Sequence, residues 1–242
     1  MGLAQRLRAT RNAKVVLGLS GGLDSTLALL VAAESAKILG KKPGEVITTL
    51  TMPGMASSDR TQSNAQKLAE ALGVANEVIP IADIVAEEFK ALGHDGKTQD
   101  ITYENVQARA RTELLFNYGN KNGGIVLGTG DLSEIALGWC TYNGDHMNHY
   151  NVNASIPKTL VRHLVRFVSE KPGFENAKAI LEDIIDTPVS PELTTTTEGE
   201  ITQTTEDIVG PYELHDFFLS HLIRWGDEPD KIRFLANKAF AP

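Results

Sequence analysis

Ser20-Gly21-Gly22-Leu23-Asp24-Ser25-Thr26 joins a short apolar run, Val15–Leu19, to a segment with helical spacing. Glycines permit positive φ and let backbone amides come close to a ligand. A helix starting near Asp24 adds its unpaired N–H groups and the positive end of its dipole. Ser20, Ser25 and Thr26 add hydroxyl donors. Together these make a neutral cradle for phosphate. The bland reading, a capped turn with Asp24 as N-cap, fits the same residues. No lysine sits in the loop, so it is not the Gly-Lys-Ser/Thr phosphate loop, and it is not the dinucleotide pattern G-x-G-x-x-G.

Other chemistry-bearing residues are scattered along the chain, each with a plain alternative. Glu134 follows Gly128-Thr129-Gly130 early in a helix, where a glutamate also favours the helix dipole without any ligand. Lys158 follows Pro157 and reads equally as an ordinary first-turn residue. Arg109 lies four residues after Asn105 on one helix face; the alternative is a solvated face shared with Arg111. Asp145 sits in Asn-Gly-Asp-His. His146 and His149 stand at helical spacing in a segment without a helical pattern or a nearby third ligand, so zinc is not expected. The single cysteine, Cys140, can make neither an internal disulfide nor a cysteine-rich metal site and reads as a small buried hydrophobe. Trp139, Tyr142 and Tyr150 read by default as core or interface aromatics.

The elements that must position these residues alternate. Strands are expected at Lys14–Leu19, Glu45–Met52, Asn76–Ile81 and Gly124–Leu127. Helices are expected at Asp24–Leu39, Ser58–Leu72, Ala82–Leu92, Tyr103–Tyr118, Asp131–Leu137, Lys158–Ser169, Tyr212–Trp225 and Pro229–Phe240. The third strand is expected to be short, since Pro80 cannot donate in a central ladder. Such alternation predicts an α/β fold, doubly wound, with a mostly parallel sheet between helices. Ligands in these sheets bind at the carboxyl ends of strands. Three glycine-bearing loops fall there: Ser20–Thr26, Pro53–Asp59 and Gly128–Glu134. Trp139–Ser155 has no clear period, and Thr194–Asp207 is rich in Thr and Glu and reads as a surface loop.

The 242 residues suffice for one large domain with appendages, read as a single domain over 1–242 with a flexible loop at 194–207 and closing helices at 212–242. A net charge of −8 without a Lys/Arg cluster disfavours a nucleic-acid partner. The longest early apolar run, Leu27–Ala33, is too short for a membrane span, and the N-terminus has no signal-peptide pattern. With one cysteine, a cytoplasmic protein is expected.

The loop Ser20–Ser25 resembles the pyrophosphate loop of the adenine-nucleotide alpha hydrolase-like enzymes, which cleave ATP between the α and β phosphates. Further stretches are similar to the NAD synthetase family, in particular the synthetase domain of its glutamine-dependent long form: GLSGGLDSTLAL (Gly18–Leu29), YENVQARAR (Tyr103–Arg111), IVLGTGDLSEIALGW (Ile125–Trp139), YNGDHMNHYNVNASIPKTLV (Tyr142–Val161) and VGPYELHDFF (Val209–Phe218). The resemblance implies a five-stranded sheet of that superfamily with a C-terminal helical extension. It implies ATP-dependent amidation of deamido-NAD by ammonia through an acyl-adenylate, giving NAD, AMP and pyrophosphate. It implies Ser20, Gly21, Gly22, Asp24, Ser25, Thr26, Arg109, Thr129 and Lys158 around ATP, with Asp24 and Glu134 as Mg²⁺ ligands. Asn105 would face the nicotinate-side nucleotide, Asp145 the ammonia site, and Pro53-Gly54 the adenine. No glutaminase-like segment precedes Leu3 and no long-form tail follows Pro242, so ammonia is expected to be used directly or to come from a glutaminase domain outside this chain. Family members form homodimers, and long forms assemble further.

Two other readings compete. A tRNA-modifying enzyme on the same loop would want catalytic cysteines and a basic face. A nucleotide-binding regulatory module would need neither Glu134 nor Lys158. One cysteine and the acidic balance weigh against the first, and those two residues against the second.

Overall fold

The computed structural model describes residues 1–11, 14–55, 59–187 and 205–241. Its centre is an all-parallel sheet in the order β3-β2-β1-β4-β5, formed by β1 (Val15–Gly18), β2 (Ile47–Thr51), β3 (Ala75–Val78), β4 (Ile125–Gly128) and β5 (Tyr150–Asn151). Val15 pairs with Ile47 on one side and Ile125 on the other, so β1 is the hinge at which the winding reverses. That is the topological switch point of an open α/β sheet, where a crevice opens beyond the strand ends. The expected parallel sheet is present. The strand run expected to reach Ile81 stops at Val78, short as Pro80 led one to expect, and β3 lies at one edge of the sheet.

Alternation along β1 builds two cores. Val15, Leu17 and Leu19 belong to the larger apolar cluster, whereas Val16 belongs to the smaller one on the opposite face. The larger cluster takes residues of α1 (Gly2–Ala9), α2 (Leu23–Ile38), α4 (Asp59–Ala71), α8 (Lys158–Ser169) and α9 (Lys178–Asp186). The smaller one takes Val85 and Phe89 of α5 (Ala82–Leu92) and Tyr103, Val106 and Ala110 of α6 (Ile101–Asn122). A short helix, α3 (Pro43–Val46), leads into β2.

α7 (Leu132–Leu137) follows β4, and the chain closes with α10 (Thr205–Val209), α11 (Tyr212–Leu219), a π-helical turn over Ser220–Trp225, and α12 (Pro229–Ala239). Residues 194–204 of the Thr-rich stretch lie outside the described residues, as do 56–58 of the loop after β2; 205–207 open α10 and do not continue a loop. α1 and α9 have no counterpart among the sequence expectations. Each buries one stripe at helical spacing, Leu3 and Leu7 in α1, and Leu181, Ile184 and Ile185 in α9.

Candidate functional site

Side chains from three loops meet beyond the ends of β1 and β4. The ammonium of Lys158, at the first position of α8, lies 2.8 Å from Asp24 Oδ2, 2.6 Å from Glu134 Oε1 and 3.0 Å from Asp131 Oδ2. Lys158 is only 9% exposed, and Asp131 is fully buried. The three carboxylates each offer an oxygen within 4.8 Å of the others. Three carboxylates against one ammonium leave a formal charge of −2, which one divalent cation would balance.

The local folding explains who stands where. Asp131 is the N-cap of α7: its Oδ1 accepts from the amides of Ser133 and Glu134 at 2.8 and 2.9 Å, and Glu134 Oε2 accepts from the Asp131 amide. This capping box orients both carboxylates and leaves Asp131 Oδ2 turned to Lys158. That oxygen has no hydrogen bond despite its ion-pair distance, and Asp24 Oδ1 is likewise buried without a partner. A buried carboxylate oxygen without a donor, as at Asp24 Oδ1, favours a cation beside it. The donor set, all oxygen, suits Mg²⁺.

Electrostatics agree with a crowded anionic cluster. Burial, together with the charges of Asp24 and Asp131, raises the Glu134 carboxyl to about 7 despite the opposing pull of Lys158. Burial also raises Asp24. The three carboxylates hold the Lys158 ammonium well above the usual lysine range, overriding its own burial.

Beside the cluster, Gly21 takes φ 88°, which an L side chain rarely adopts. Gly22, not Asp24, is the N-cap of α2; Asp24 falls in the first turn, which corrects the capped-turn reading. Gly22 has no side chain to cap with, so the first-turn amides of α2 are left to solvent or an anion. Ser20 Oγ accepts from the Gly22 amide and lies 3.2 Å from Ser25 Oγ. Thr26 Oγ1 is buried without a partner. Thr129 contributes its carbonyl, which accepts from Asn153 Nδ2 at 2.9 Å; the same amide reaches the Asp24 carbonyl at 2.9 Å. Fully buried Asn153 thus ties the loop after β1 to the loop after β4.

Asn105, Arg109 and Asp145 form a separate group around one turn. Asn105 Oδ1 accepts from Thr141 Oγ1 at 2.9 Å, Arg109 Nε donates to the Tyr142 carbonyl at 3.1 Å, and Asp145 Oδ1 accepts from the Thr141 amide at 2.7 Å. Asp145 and Arg109 are exposed. An open cleft of about 370 Å³ is lined by Arg109, Thr112, Glu113, Phe116, Asn143 and Met147 and shares no residue with the Lys158 cluster. His149 Nδ1 accepts from the Val126 amide at 2.9 Å, a structural duty. Burial and the charges of Asp145 and Glu134 raise the Cys140 thiol, which disfavours a thiolate nucleophile. In the loop after β2, Gln107 Oε1 accepts from the Met55 amide at 3.2 Å, and Arg111 Nε donates to the Met52 carbonyl at 3.1 Å.

The family resemblance joins Asp24, Glu134 and Lys158; the structure adds Asp131 to them and Asn153 beside them. Asp131-x-x-Glu134 has capping-box spacing, which gives Asp131 a duty to its own helix and says nothing of its second oxygen.

A family model described as NAD synthase matches residues 1–239. The chain is 48% identical over 246 residues to a glutamine-dependent NAD(+) synthetase of Mycobacterium leprae (strain TN), covering 99% of this chain and 36% of that protein. It therefore spans about a third of the length of this curated relative. Among solved structures, a glutamine-dependent NAD+ synthetase from Acinetobacter baumannii in complex with ADP aligns with TM-score 0.68 and 28% identity, over 96% of this chain and 39% of that one. An NMN synthetase from Francisella tularensis aligns with TM-score 0.70 and 25% identity, over 98% and 90%.

Proposed function

The chain belongs to the NAD synthase family, and we propose that it is the ligase unit that amidates the nicotinate carboxylate of deamido-NAD. The observation that carries the reading is the meeting of Asp24, Asp131, Glu134 and Lys158 beside the Ser20–Thr26 loop. A carboxylate is a poor electrophile. One of its oxygens attacks the α phosphorus of ATP, pyrophosphate departs, and an acyl-adenylate forms. Ammonia then adds to the acyl carbon, AMP leaves with the former carboxylate oxygen, and one proton is released. No protein nucleophile is needed, which fits the raised Cys140 thiol.

The residues divide by what they can hold. The amides at the start of α2, with Ser20, Gly21, Gly22, Ser25 and Thr26, would cradle the departing phosphates. Asp24 and Glu134 would hold Mg²⁺, with Asp131 as a third oxygen donor. A bound Mg²⁺ supplies charge neutralisation on the phosphate oxygens. Lys158 adds a compact charge on a flexible stem for the same oxygens. Thr129 and Arg109 would border ATP, with Arg109 Nε also holding the Tyr142 carbonyl, and Asn105 would face the nicotinate-side nucleotide. Asp145, exposed on that turn, is the carboxylate that would hold ammonium and accept the proton as the amine attacks. Ammonia arrives directly or from a glutaminase domain on the larger proteins of this family. The homodimer and the reducing, cytoplasmic setting expected from the sequence belong to the same proposal; among the described residues no helix is long and apolar enough to cross a membrane.

The test is mass spectrometry of the purified chain with ATP, Mg²⁺, ammonium and deamido-NAD, scoring NAD and AMP together. Equal yields of both are expected. Turnover of nicotinate mononucleotide in place of deamido-NAD would move the acceptor to the smaller acid, and ADP in place of AMP would overturn the reading.

A further inference from the structure

α8 begins at Lys158 behind Pro157, which supplies no side-chain cap. Its first two amides are nonetheless paired. The Lys158 amide donates to Ser133 Oγ at 3.0 Å, and the Thr159 amide donates to Asp216 Oδ2 at 2.8 Å. Thr159 Oγ1 donates to the same carboxylate oxygen at 2.7 Å, and the Ser133 hydroxyl donates to Asp216 Oδ1. Asp216 comes from α11, late in the chain, and is 7% exposed. A single distant carboxylate therefore supplies the capping acceptor that Pro157 cannot give α8, and it pins the first turn of α7. Its negative charge also suits the positive end of the α8 dipole.

Each residue that Asp216 grips is a chain neighbour of the cluster. Ser133 lies between Asp131 and Glu134, and Thr159 follows Lys158. Because Ser133 Oγ accepts from Lys158 and donates to Asp216, its direction is fixed at both ends. One turn earlier on α11, Tyr212 places its ring 5.7 Å from the Lys158 ammonium. Two residues on one face of α11 thus reach the same junction.

The structure assigns to Asp216 the role of a positioning residue: it locks α7 to α8 so that Asp131, Glu134 and Lys158 face one another. The cation-binding cluster is complete only when α11 is docked. This rests on the proposed reading of the cluster as a cation and phosphate site.

The test uses the full chain and Mn²⁺ as probe, its binding followed by electron paramagnetic resonance with and without a non-hydrolysable ATP analogue. Asp216→Ala should weaken Mn²⁺ binding by about 10–100-fold while far-ultraviolet dichroism stays native. Asp216→Asn, which keeps a carbonyl oxygen for the Thr159 amide, should restore part of that affinity and secures the test if the alanine variant does not fold. Asp100→Ala is the control: it removes the cap that accepts from the Tyr103 amide at 2.9 Å, remote from the cluster. It should lower the melting temperature and leave Mn²⁺ affinity unchanged. If the Asp216 variants melt earlier yet bind Mn²⁺ within about twofold of wild type, well short of the loss expected for a positioning partner, Asp216 is a structural cap and the inference falls while the ligase reading stands. A wild-type chain that binds no Mn²⁺ overturns both.

Discussion

Lys158→Met is the substitution whose consequence the geometry fixes best. Methionine keeps the length and most of the volume of lysine but removes the only ammonium within 3 Å of Asp24, Asp131 and Glu134 among the described residues. Breaking a buried ion pair from one side costs about 3–5 kcal/mol, because the remaining charge is stranded. Glu134, already raised to about 7, can take up a proton and blunt the loss; the low end, about 3 kcal/mol, is expected. At about 2–4 °C per kcal/mol for a chain of this size, the melting temperature should fall by roughly 6–12 °C. Two arms make the reasoning specific. Lys158→Met combined with Glu134→Gln should be more stable than the sum of the single changes, by about 0.5–3 kcal/mol in a double-mutant cycle. Mg²⁺ should raise the melting temperature of Lys158→Met, since the cation binds only the folded cluster. Additive single effects, or a melting temperature unmoved by Lys158→Met, would refute the account of the cluster.

Asp24→Ala and Glu134→Ala should each cut AMP and pyrophosphate formation by about a hundredfold or more, since several kcal/mol of charge stabilisation are at stake; near wild-type turnover at saturating Mg²⁺ would end the metal assignment. The chain alone should make NAD from ammonium and not from glutamine, checked by running the two nitrogen sources in parallel. Gly54→Val should weaken ATP binding and destabilise by about 1–3 kcal/mol, because a Cβ there would sit 2.5 Å from Gln107 Oε1 and 3.0 Å from Arg111 Nη2; calorimetric titration with an ATP analogue reads the first and urea unfolding the second. The Thr98 and Lys97 amides hold the Asp95 carboxyl at about 2, below its ordinary 3.8. A depressed folded value stabilises above about 4, and the contribution is lost as pH falls from there toward 2. Asp95→Asn should therefore flatten the acid limb of the stability profile, and an unchanged limb would contradict it.

The switch-point loop was legible because its parts are contiguous. The apolar run Val15–Leu19, two glycines and a hydroxyl-rich helix start are one continuous signal. Residues whose duty depends on distant partners were not. Asp131 reads as a helix cap from its neighbours, and only the fold turns its second oxygen toward Lys158. Asp216 sits in a helical pattern that also holds Glu213 and His215, and its partners Ser133 and Thr159 lie far upstream. Asn153 falls in a segment without a period, where no rule singles out an amide that bridges two loops. β5 holds only Tyr150 and Asn151, too short for any alternation to register. The stripes of α1 and α9, Leu3/Leu7 and Leu181/Ile184/Ile185, are short and stand at helical spacing without a strong start or stop signal.

Oxygen-isotope tracing tests the central claim most directly. Deamido-NAD carrying ¹⁸O in its nicotinate carboxylate is incubated with the chain, ATP, Mg²⁺ and ammonium, and the phosphates are analysed by mass spectrometry. Activation at the α phosphorus predicts one ¹⁸O transferred to AMP for each NAD formed, with unlabelled pyrophosphate. Label appearing in inorganic phosphate, with ADP as the nucleotide product, would contradict it.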